Sequence, residues 1–430
     1  MKILQINKFF YLKGGSETYL FSLADLLKQH GHEVIFFSMK DKKNFDSEYS
    51  DFFINNIDFR KREGIVKDFK KLGHSLYSLE AKRKLENLIK KYEPDVAHLH
   101  NVAHHFSPSI LSVLKKHNIP VIQTLHDYQL ICPNFKLFTK GAICERCYKH
   151  KYYQAIFHKC IHNAYLPSIW GAFEMVIHKA LQIYENVLYY YVSPSEFLAK
   201  KLEKWGYNKD KIKVLNNFID LAKISPNYNS QGYILYFGRL AQEKGILTLL
   251  EAIKGLSGIK LKVAGIGPEE AKLKDYLKKE DLPACPRRRA QAGLKNVEFL
   301  GFKKGEELET LISNCAFVVM PSIWYENYPY SILESFAYGK PVIGSDLGGI
   351  PEMVLDNKTG FIFPAGDSKA LKEKIETLYN SQELIEQMGK QARQFVENNN
   401  DPEKHYQKLI KIYQELLLKY GEKKKTNKFF

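Results

Sequence analysis

The sequence predicts an α/β protein built from two doubly wound domains with parallel sheets. Strand-like and helix-like patterns alternate through most of the 430 residues, which is typical of βαβ units. The alternation stops at a turn-rich polar stretch, residues 225–232, and then starts again. With 45% hydrophobic residues the chain can bury large cores, and roughly 100–200 residues per domain predicts two or three domains.

The first half begins with a strand, a helix and a second strand. The helix is predicted over residues 16–30, because Tyr19, Leu20 and Leu23 recur at helical spacing and Gly31 follows as a C-terminal stop. Short apolar runs predict the strands of this half, at residues 2–7, 33–38, 95–100, 120–125 and 188–192.

The second half repeats this order after the polar stretch, which we interpret as an interdomain linker. A helix is predicted over residues 245–256, and residues 368–420 are predicted to be helical throughout. Strands are predicted at residues 233–237, 260–264, 297–300, 316–320 and 341–344. The predicted domains are residues 1–224, residues 225–400 and a C-terminal helix with a basic tail, residues 401–430.

The net charge of +16 predicts an anionic partner, which can be nucleic acid, a phosphorylated small molecule or anionic lipid. The excess lies mainly in the first half, since residues 1–220 hold 33 Lys and Arg against 22 Asp and Glu. From Arg60 to Lys91, basic residues alternate with apolar ones such as Phe69 and Leu85. This segment is either a basic amphipathic surface for an anionic membrane or an ordinary solvated helix face.

The N-terminus indicates a cytoplasmic protein. Lys8 and Lys13 come before any apolar stretch that could form the core of a signal peptide. Without a run of about 18 apolar residues, the chain is expected to be soluble, or at most peripheral at the inner face of the cytoplasmic membrane. Six cysteines without a secretory signal predict a reducing compartment.

The most specific motif is a pair of glutamates, Glu326 and Glu334. Glu326 is predicted in the loop after a buried strand, and Glu334 in the next helix, with Pro329 in its first turn. Backbone amides at a helix start can hold a diphosphate, Glu334 can accept hydrogen bonds from ribose hydroxyls, and Glu326 can meet a sugar. Such pairs also occur in purely structural helices, so the neighbouring motifs decide between the two interpretations.

Other residues at predicted strand ends fit the same ligand. Arg239 and Lys244 lie between the first strand and helix of the second domain. There the planar guanidinium group of Arg239 can donate two parallel hydrogen bonds to phosphate oxygens, and the ammonium group of Lys244 can contribute a positive charge. Gly14 and Gly15 hold the equivalent place in the first domain and allow the backbone to approach a diphosphate. His126 ends another first-domain strand, where it is either catalytic or a buried structural histidine.

Together these motifs resemble the family-4 retaining glycosyltransferases over nearly the whole chain. The resemblance rests on the E-x7-E element at residues 326–334, the Gly-Gly-x-Glu loop at 14–17, the His126-Asp127 pair and further matches in family order, at residues 193–197, 216–220, 238–245, 265–268, 299–301 and 359–361. It implies the GT-B architecture, in which two Rossmann-like domains face each other across an interdomain cleft.

The resemblance also implies the reaction and its residues. A sugar would move, with retention, from a nucleotide-sugar donor to a glycan or lipid-linked acceptor, in the synthesis of cell-surface polysaccharide, lipopolysaccharide or glycolipid. Catalytic roles fall to His126, Glu326, Arg239 and Lys244. The donor would be held by Gly14, Gly15, Arg239, Lys244, Gly301, Phe302, Tyr330, Ser331 and Glu334.

The resemblance implies no cofactor, because the departing phosphate can itself take the proton of the incoming hydroxyl. The sequence contains no D-x-D pair for a divalent cation, which agrees with this expectation. One motif departs from the family, since Asn327-Tyr328-Pro329 stands where Gly-Phe-Gly is common. Glycines allow a close approach of backbone to ligand, so this change leaves the identity of the donor sugar open.

Four cysteines form a second cluster in the sequence, at Cys132, Cys144, Cys147 and Cys160. A C-x2-C pair with two flanking cysteines can supply four thiolates to a structural zinc ion. The alternative is a set of reduced, partly buried thiols in a long loop. Cys285 and Cys315 are expected to be isolated and structural.

Three other functions are less consistent with these motifs. A nicotinamide enzyme needs G-x-G-x-x-G, and the nearest match, Gly265-Ile266-Gly267, lacks the third glycine. No nucleic-acid-binding motif accompanies the basic charge, so no nucleic acid is expected as a partner. The remaining alternative is an inactive glycosyltransferase-like protein that binds glycan or nucleotide sugar, although Glu326, Glu334, Arg239 and Lys244 are all present.

Overall fold

The computed structural model describes residues 1–57, 64, 71, 73–256, 258–280 and 296–426. It divides into two compact units. The first comprises residues 1–137, 144–215 and 403–430, and the second comprises residues 138–143 and 216–402. The two parallel sheets of an α/β fold are thus present, one in each unit, as the sequence predicts.

The first unit contains a six-stranded parallel sheet in the order β2-β1-β3-β4-β7-β8. Its strands are buried apolar runs, β1 (Lys2–Ile6), β2 (Glu33–Phe37), β3 (Val96–Leu99), β4 (Val121–Thr124), β7 (Leu188–Ser193) and β8 (Ile212–Val214). Its described helices are α1 (Gly15–Gln29), α2 (Leu79–Tyr92), α3 (Ser109–Lys116), α4 (Gln154–Phe157), α5 (Tyr165–Ala180), α6 (Glu196–Lys204) and α14 (Pro402–Thr426).

The second unit has a six-stranded parallel sheet in the order β11-β10-β9-β12-β13-β14. The strand order reverses between β9 and β12, and open α/β sheets bind ligands at such a switch point. Its strands are β9 (Tyr233–Phe237), β10 (Lys260–Ala264), β11 (Val297–Gly301), β12 (Val318–Met320), β13 (Val342–Ser345) and β14 (Gly360–Phe363). A two-stranded hairpin, β5 (Phe138–Thr139) and β6 (Ala142–Ile143), is grouped with this unit.

Helices cover the second sheet on both faces and bury two apolar clusters against it. These helices are α7 (Ile246–Ile253), α8 (Glu270–Glu280), α9 (Glu306–Asn314), α10 (Tyr330–Ala337), α11 (Ile350–Met353), α12 (Ser368–Tyr379) and α13 (Gln382–Asn399). Residues 368–420, predicted to be helical throughout, are helical except at 380–381 and 400–401, which separate three helices. At the first break Ser381 caps α13 by accepting a hydrogen bond from the N–H of Leu384.

The division of the chain differs from the predicted boundaries at 224 and 400. Residues 216–224 join the second unit, where Asn217 Nδ2 donates to the carbonyl of Tyr328 at 3.0 Å and Asn400 Nδ2 donates to the carbonyl of Asn217 at 2.6 Å. The C-terminal helix α14 returns to the first unit. There Tyr413 Oη lies 2.7 Å from His98 Nδ1, and His405 Nε2 lies 3.1 Å from Tyr19 Oη.

The segment predicted as a basic membrane surface is only partly within the described residues, since Arg60, Lys61, Arg62, Phe69 and Lys70 lie outside them. Its second part is α2, whose apolar side chains pack into the core, with Leu85 and Leu88 0% exposed. The apolar face of α2 is therefore already covered, and this helix fits the alternative of a solvated basic face. No helix in the described part of the chain is long and apolar enough to cross a membrane.

Candidate functional site

Glycines shape the loops at the switch point of the second unit. Gly265, which follows β10, has φ +151°, and a Cβ atom there would lie 1.9 Å from the carbonyl oxygen of Gly238. A Cβ atom on Gly267 would lie 2.1 Å from the carbonyl oxygen of Leu240. The two loops after β9 and β10 thus touch through their backbones, which sets the path of the segment that carries Arg239.

Lys244 and Glu326 form an ion pair beside these loops. Lys244 Nζ lies 2.6 Å from Glu326 Oε1, and Ser322 Oγ donates to the same oxygen at 2.7 Å. The Glu326 side chain is 7% exposed and that of Lys244 is 22% exposed. The ammonium group also lies 5.3 Å from the ring centroid of Trp324. The pair therefore places a partly accessible cation over a buried carboxylate.

The main chain also holds Glu326 in place. Its carbonyl accepts a hydrogen bond from Gly349 N–H at 2.7 Å. Gly348 has φ +66°, and a Cβ atom there would lie 2.3 Å from the same carbonyl oxygen. Only glycine fits at that point without a shift of the backbone. The sequence did not identify Ser322 or Gly348, because their contacts with the site depend on the folded loops.

Arg239 offers an available cation in the loop that follows β9. Its side chain is exposed, and it makes no ion pair within the described ranges of the chain. Its carbonyl accepts a hydrogen bond from Tyr236 Oη at 3.0 Å. Burial raises the pKa of Tyr236, and the nearby carboxylates of Glu326 and Glu243 raise it further. Tyr236 thus links the main chain of Arg239 to the surroundings of Glu326.

Helix α10 carries the remaining predicted donor residues. It begins at Tyr330, and Pro329 is its N-cap residue with ψ 129°, so Pro329 lies just before the first turn and not within it. Tyr328, at the motif that departs from the family, is buried, and its hydroxyl accepts a hydrogen bond from Asn400 Nδ2 at 3.0 Å. The Tyr328 side chain therefore belongs to the core, while Tyr330 and Ser331 occupy the start of the helix.

Glu334 is a half-buried carboxyl group on α10. Desolvation raises its pKa to about 7, and the neighbouring carboxylate of Glu309 adds to the rise. Within the described residues its side chain has no hydrogen-bonding or ionic partner. A carboxylate held in this way is ready to accept hydrogen bonds from hydroxyl groups of a ligand.

The predicted base region follows β11. Gly301 has φ +69°, and its carbonyl accepts a hydrogen bond from Gly265 N–H at 2.7 Å, which joins this loop to the glycine loops. The Phe302 side chain is 63% exposed. Exposed aromatic rings offer a surface on which a nucleobase can stack.

In the first unit, Gly14 is the N-cap residue of α1 and Gly15 its first residue. The buried Glu17 supports this turn, since Asn7 Nδ2 donates to Glu17 Oε1 at 3.2 Å. Desolvation raises the pKa of Glu17, and hydrogen bonds from Asn7 and Ser16 oppose that rise. Glu17 of the Gly-Gly-x-Glu motif therefore holds the start of α1 in place through its buried hydrogen bond with Asn7.

His126 lies in a chain of stacked histidines. Its Nε2 atom is 3.1 Å from His100 Nδ1, and His100 Nε2 is 2.6 Å from Gln5 Oε1, a hydrogen-bond acceptor. The rings of His98 and His100 stack with centroids 4.5 Å apart, and those of His100 and His126 with centroids 5.3 Å apart. Desolvation lowers the pKa of His126 to about 3, so this ring is neutral at pH 7.

The supporting residues Gln5 and His100 were not predicted as part of the site. The alternation His98-x-His100 at the end of a strand was a visible signal, since polar side chains within a buried parallel strand need partners. Asp127, next to His126, accepts a hydrogen bond from Gln129 N–H at 2.9 Å, and burial raises its pKa to about 6.

The four clustered cysteines of the first unit contain free thiols. Burial raises the pKa of Cys132 to about 11, and the pKa of Cys147 is raised by burial and by the three other sulfurs. Among the residues that the structure describes, no group of three or more His, Cys, Asp or Glu side chains is placed to hold a metal ion. Cys285 lies outside the described residues, and Cys315 is buried.

Two parallel-sheet units, with the Lys244–Glu326 ion pair near the switch point of the second, define a two-domain, Rossmann-like architecture. Two family models match almost the whole chain: residues 13–223 match Glycosyltransferase Family 4, and residues 218–395 match Glycosyl transferases group 1. The chain therefore belongs to the family-4 glycosyltransferases and has the GT-B fold.

Individual proteins agree with this assignment. The uncharacterized glycosyltransferase MJ1178 of Methanocaldococcus jannaschii is 25% identical over 420 residues, 97% of this chain and 99% of that protein. The putative colanic acid biosynthesis glycosyltransferase WcaL of Escherichia coli is 26% identical over 237 residues, 52% of this chain and 55% of WcaL, so the chain spans about half of that relative. The crystal structure of Anabaena HepE with UDP and glucose aligns over 96% of this chain and 100% of HepE, with a TM-score of 0.66 and 17% identity.

Proposed function

We propose that this protein is a retaining glycosyltransferase that moves a sugar from a nucleotide-sugar donor to a glycan or lipid-linked acceptor in the assembly of cell-surface polysaccharide, lipopolysaccharide or glycolipid. The observation that carries the proposal is the pairing of Lys244 with the buried Glu326, beside the exposed Arg239, at the switch point of the second sheet. A cation-rich loop next to a carboxylate suits a ligand that joins a diphosphate to a sugar.

In the proposed reaction, the bond between the anomeric carbon and the β-phosphate oxygen breaks as the acceptor hydroxyl forms a new bond on the same face of the sugar. The proton of that hydroxyl passes to the departing phosphate oxygen. Arg239 and Lys244 stabilise the negative charge that develops on the nucleoside diphosphate. Glu326 contacts sugar hydroxyls, and the neutral His126 contributes hydrogen bonds near the transferred sugar. No divalent cation or cofactor is required in this scheme.

Support for the substrate class comes from other proteins. HepE was crystallised with UDP and with UDP-glucose, which favours a nucleotide sugar as the donor here. WcaL and the amylovoran biosynthesis glycosyltransferase AmsK of Erwinia amylovora are named for polysaccharide synthesis, which favours a glycan or lipid-linked acceptor. We also propose that the protein works in the cytoplasm, at the inner face of the membrane that carries such acceptors.

Glu334 provides the test of the donor site. Replacing it with Gln is expected to weaken binding of the preferred nucleoside diphosphate about tenfold, because a neutral amide is a poorer acceptor for two ribose hydroxyls than a carboxylate. In the wild type the affinity should rise as the pH passes through about 7, where Glu334 ionises. Calorimetric titration of UDP, GDP and ADP at pH 6 and pH 8 measures both effects.

Without ligand, Glu334→Gln should be more stable than the wild type at high pH, although it binds the nucleotide more weakly. Because the pKa of Glu334 is raised in the fold, its contribution to stability is present below the unfolded pKa and is lost as the pH rises through about 7. Glu334→Gln should therefore raise the melting temperature at pH 8 by about 2–4 °C and leave it unchanged at pH 5. Glu373→Gln, at an exposed position of α12, is the control and should retain nucleotide affinity. Unchanged nucleotide affinity in Glu334→Gln would remove Glu334 from the donor site.

A further inference from the structure

Helix α5 presents a second apolar face to solvent. Its buried side chains include Ala172 and Met175, which pack into the first unit. On the opposite side it exposes large side chains that are all apolar or aromatic, namely Tyr165 at 55%, Leu166 at 74%, Ile169 at 45%, Phe173 at 48% and Val176 at 50%. Their spacing places them within about one third of the helix circumference. A helix that is apolar on both faces is not expected at a solvated surface, and a contiguous exposed patch of this kind marks an interaction site.

The preceding helix α4 extends the same patch. Tyr153 is 49% exposed and Phe157 is 69% exposed, and their rings lie 6.2 Å apart. Lys159 Nζ lies 4.3 Å from the centroid of the Tyr165 ring, which places a cation at the border of the patch. We call the exposed residues of these two helices the apolar face: Tyr153, Phe157, Tyr165, Leu166, Ile169, Phe173 and Val176.

The stretch that carries the apolar face is basic, and the acidic residues on either side of it are paired, Glu145 with Lys201 at 2.6 Å and Glu185 with Lys179 at 2.5 Å. From residue 146 to residue 184 the only acidic residue is Glu174, while this stretch contains five Lys and Arg residues. The Glu174 side chain is 7% exposed and lies 3.0 Å from His104 Nδ1, so it contributes no negative charge to the surface. Lys149 and Lys151 are exposed. An apolar, aromatic surface with a basic border and no exposed acid is complementary to an anionic lipid bilayer.

A second copy of the chain is a poorer occupant. In a two-fold symmetric dimer the same patch faces itself, so the basic borders of both copies would come together and repel each other. The 16 residues of α5 are also too few to cross a bilayer, which leaves a position parallel to the membrane surface.

We propose that the apolar face of α4 and α5 docks this protein on an anionic membrane. Tyr165, Leu166, Ile169, Phe173 and Val176 enter the interface between headgroups and acyl chains, while Lys149, Lys151 and Lys159 contact the anionic headgroups. The inference deepens the proposed function, on which it rests for its purpose, because docking brings the enzyme to a lipid-linked acceptor. It also replaces α2, whose apolar side is buried, as the element that meets the membrane.

The test is co-sedimentation of the full chain with vesicles of phosphatidylcholine alone or mixed with phosphatidylglycerol. The wild type is expected to bind the mixed vesicles at low salt and to be released as the salt concentration rises. Leu166→Ser and Phe173→Ser should each weaken this binding on the order of tenfold, because each removes a large side chain from the apolar interface. Lys151→Glu should weaken it and reduce its dependence on phosphatidylglycerol, because a carboxylate that the anionic headgroups repel then replaces a cation that they attract.

Matched control variants distinguish docking through the apolar face from non-specific hydrophobic binding to vesicles. Leu418 is 69% exposed on α14, so Leu418→Ser changes a side chain of similar exposure to Leu166 and should leave vesicle binding unchanged. Lys278→Glu, in the second unit, is the control for Lys151→Glu. The proposal is overturned if the wild type does not bind anionic vesicles, or if Leu418→Ser weakens binding as much as Leu166→Ser. A stable dimer that Leu166→Ser dissociates would assign the face to a second copy, and would also overturn it.

Measuring nucleoside diphosphate binding by the same variants distinguishes a failure of the docking proposal from a failure of the proposed function. All of these variants lie outside the donor site and should bind the nucleotide as the wild type does. Failure of vesicle binding with intact nucleotide binding overturns the docking surface alone. Vesicle binding without nucleotide binding overturns the proposed function alone.

Discussion

Replacing Lys244 with Ala is expected to lower the rate of sugar transfer on the order of 100- to 1000-fold. The substitution removes a cation proposed to face the departing diphosphate. It also leaves Glu326, with its 7% exposed side chain, without the ammonium group 2.6 Å away. An unpaired buried carboxylate is unfavourable, so Glu326 should also lose its fixed position near the sugar. Release of nucleoside diphosphate at saturating acceptor measures the effect.

Lys274 is a suitable control for this experiment. It pairs with Glu270 at 2.7 Å within α8, in the same unit, but its side chain is 48% exposed. Exposed pairs of this kind contribute little, so Lys274→Ala should retain the wild-type rate. Equal rates for Lys244→Ala and the wild type would show that the ion pair is structural and would remove it from the mechanism.

Replacing Gly265 with Ala is expected to lower the free energy of unfolding of the second unit by about 3–5 kcal/mol. Two causes act together. The residue has φ +151°, which side chains with a Cβ atom rarely adopt, and the new atom would lie 1.9 Å from the carbonyl oxygen of Gly238. The loop after β9 must then shift and carry Arg239 with it, so any folded variant should also bind nucleotide weakly. Urea denaturation followed by circular dichroism measures the loss.

Gly258→Ala is the matched control for Gly265→Ala. Gly258 lies in the same unit and has no positive φ that would strain an alanine, and a Cβ atom there would meet no described atom within 4 Å. The substitution should therefore change the free energy of unfolding by less than about 1 kcal/mol. A Gly265→Ala variant as stable as Gly258→Ala would contradict the role assigned to the glycine loops.

Much of the fold could be predicted because its strands are apolar runs bounded by polar residues. The strands at residues 233–237 and 260–264 are confirmed at both ends, since a buried parallel strand gives a strong local pattern. The edge strands β8 (Ile212–Val214) and β14 (Gly360–Phe363) were not predicted, because β8 has Lys213 at its centre and β14 begins with Gly360, a residue type that is depleted in strands. The return of α14 to the first unit depends on tertiary contacts such as that of Tyr413 with His98, which no local pattern reports.

In the candidate site, too, single residues could be predicted from local sequence, but their contacts with one another could not. The sequence identified Lys244 and Glu326 separately, but their pairing joins residues 82 positions apart and exists because β9 and β12 are neighbours in the sheet. His126 contacts His100, which follows β3, and His100 in turn contacts Gln5 of β1, so this chain of contacts also joins separate strands. The cysteines show the opposite case, in which a metal-like spacing in the sequence is not matched by a metal-binding arrangement among the described residues.

Retaining transfer from a nucleotide sugar is the central claim, and NMR of the reaction tests it most directly. The purified protein is incubated with a panel of UDP-, GDP- and ADP-sugars, a lipid-linked acceptor fraction and EDTA, and the anomeric signal of the product is compared with that of the donor. We predict one preferred donor, activity in EDTA and a product with the donor's anomeric configuration. A product of inverted configuration, or no transfer from any nucleotide sugar with or without added divalent cations, would contradict the claim.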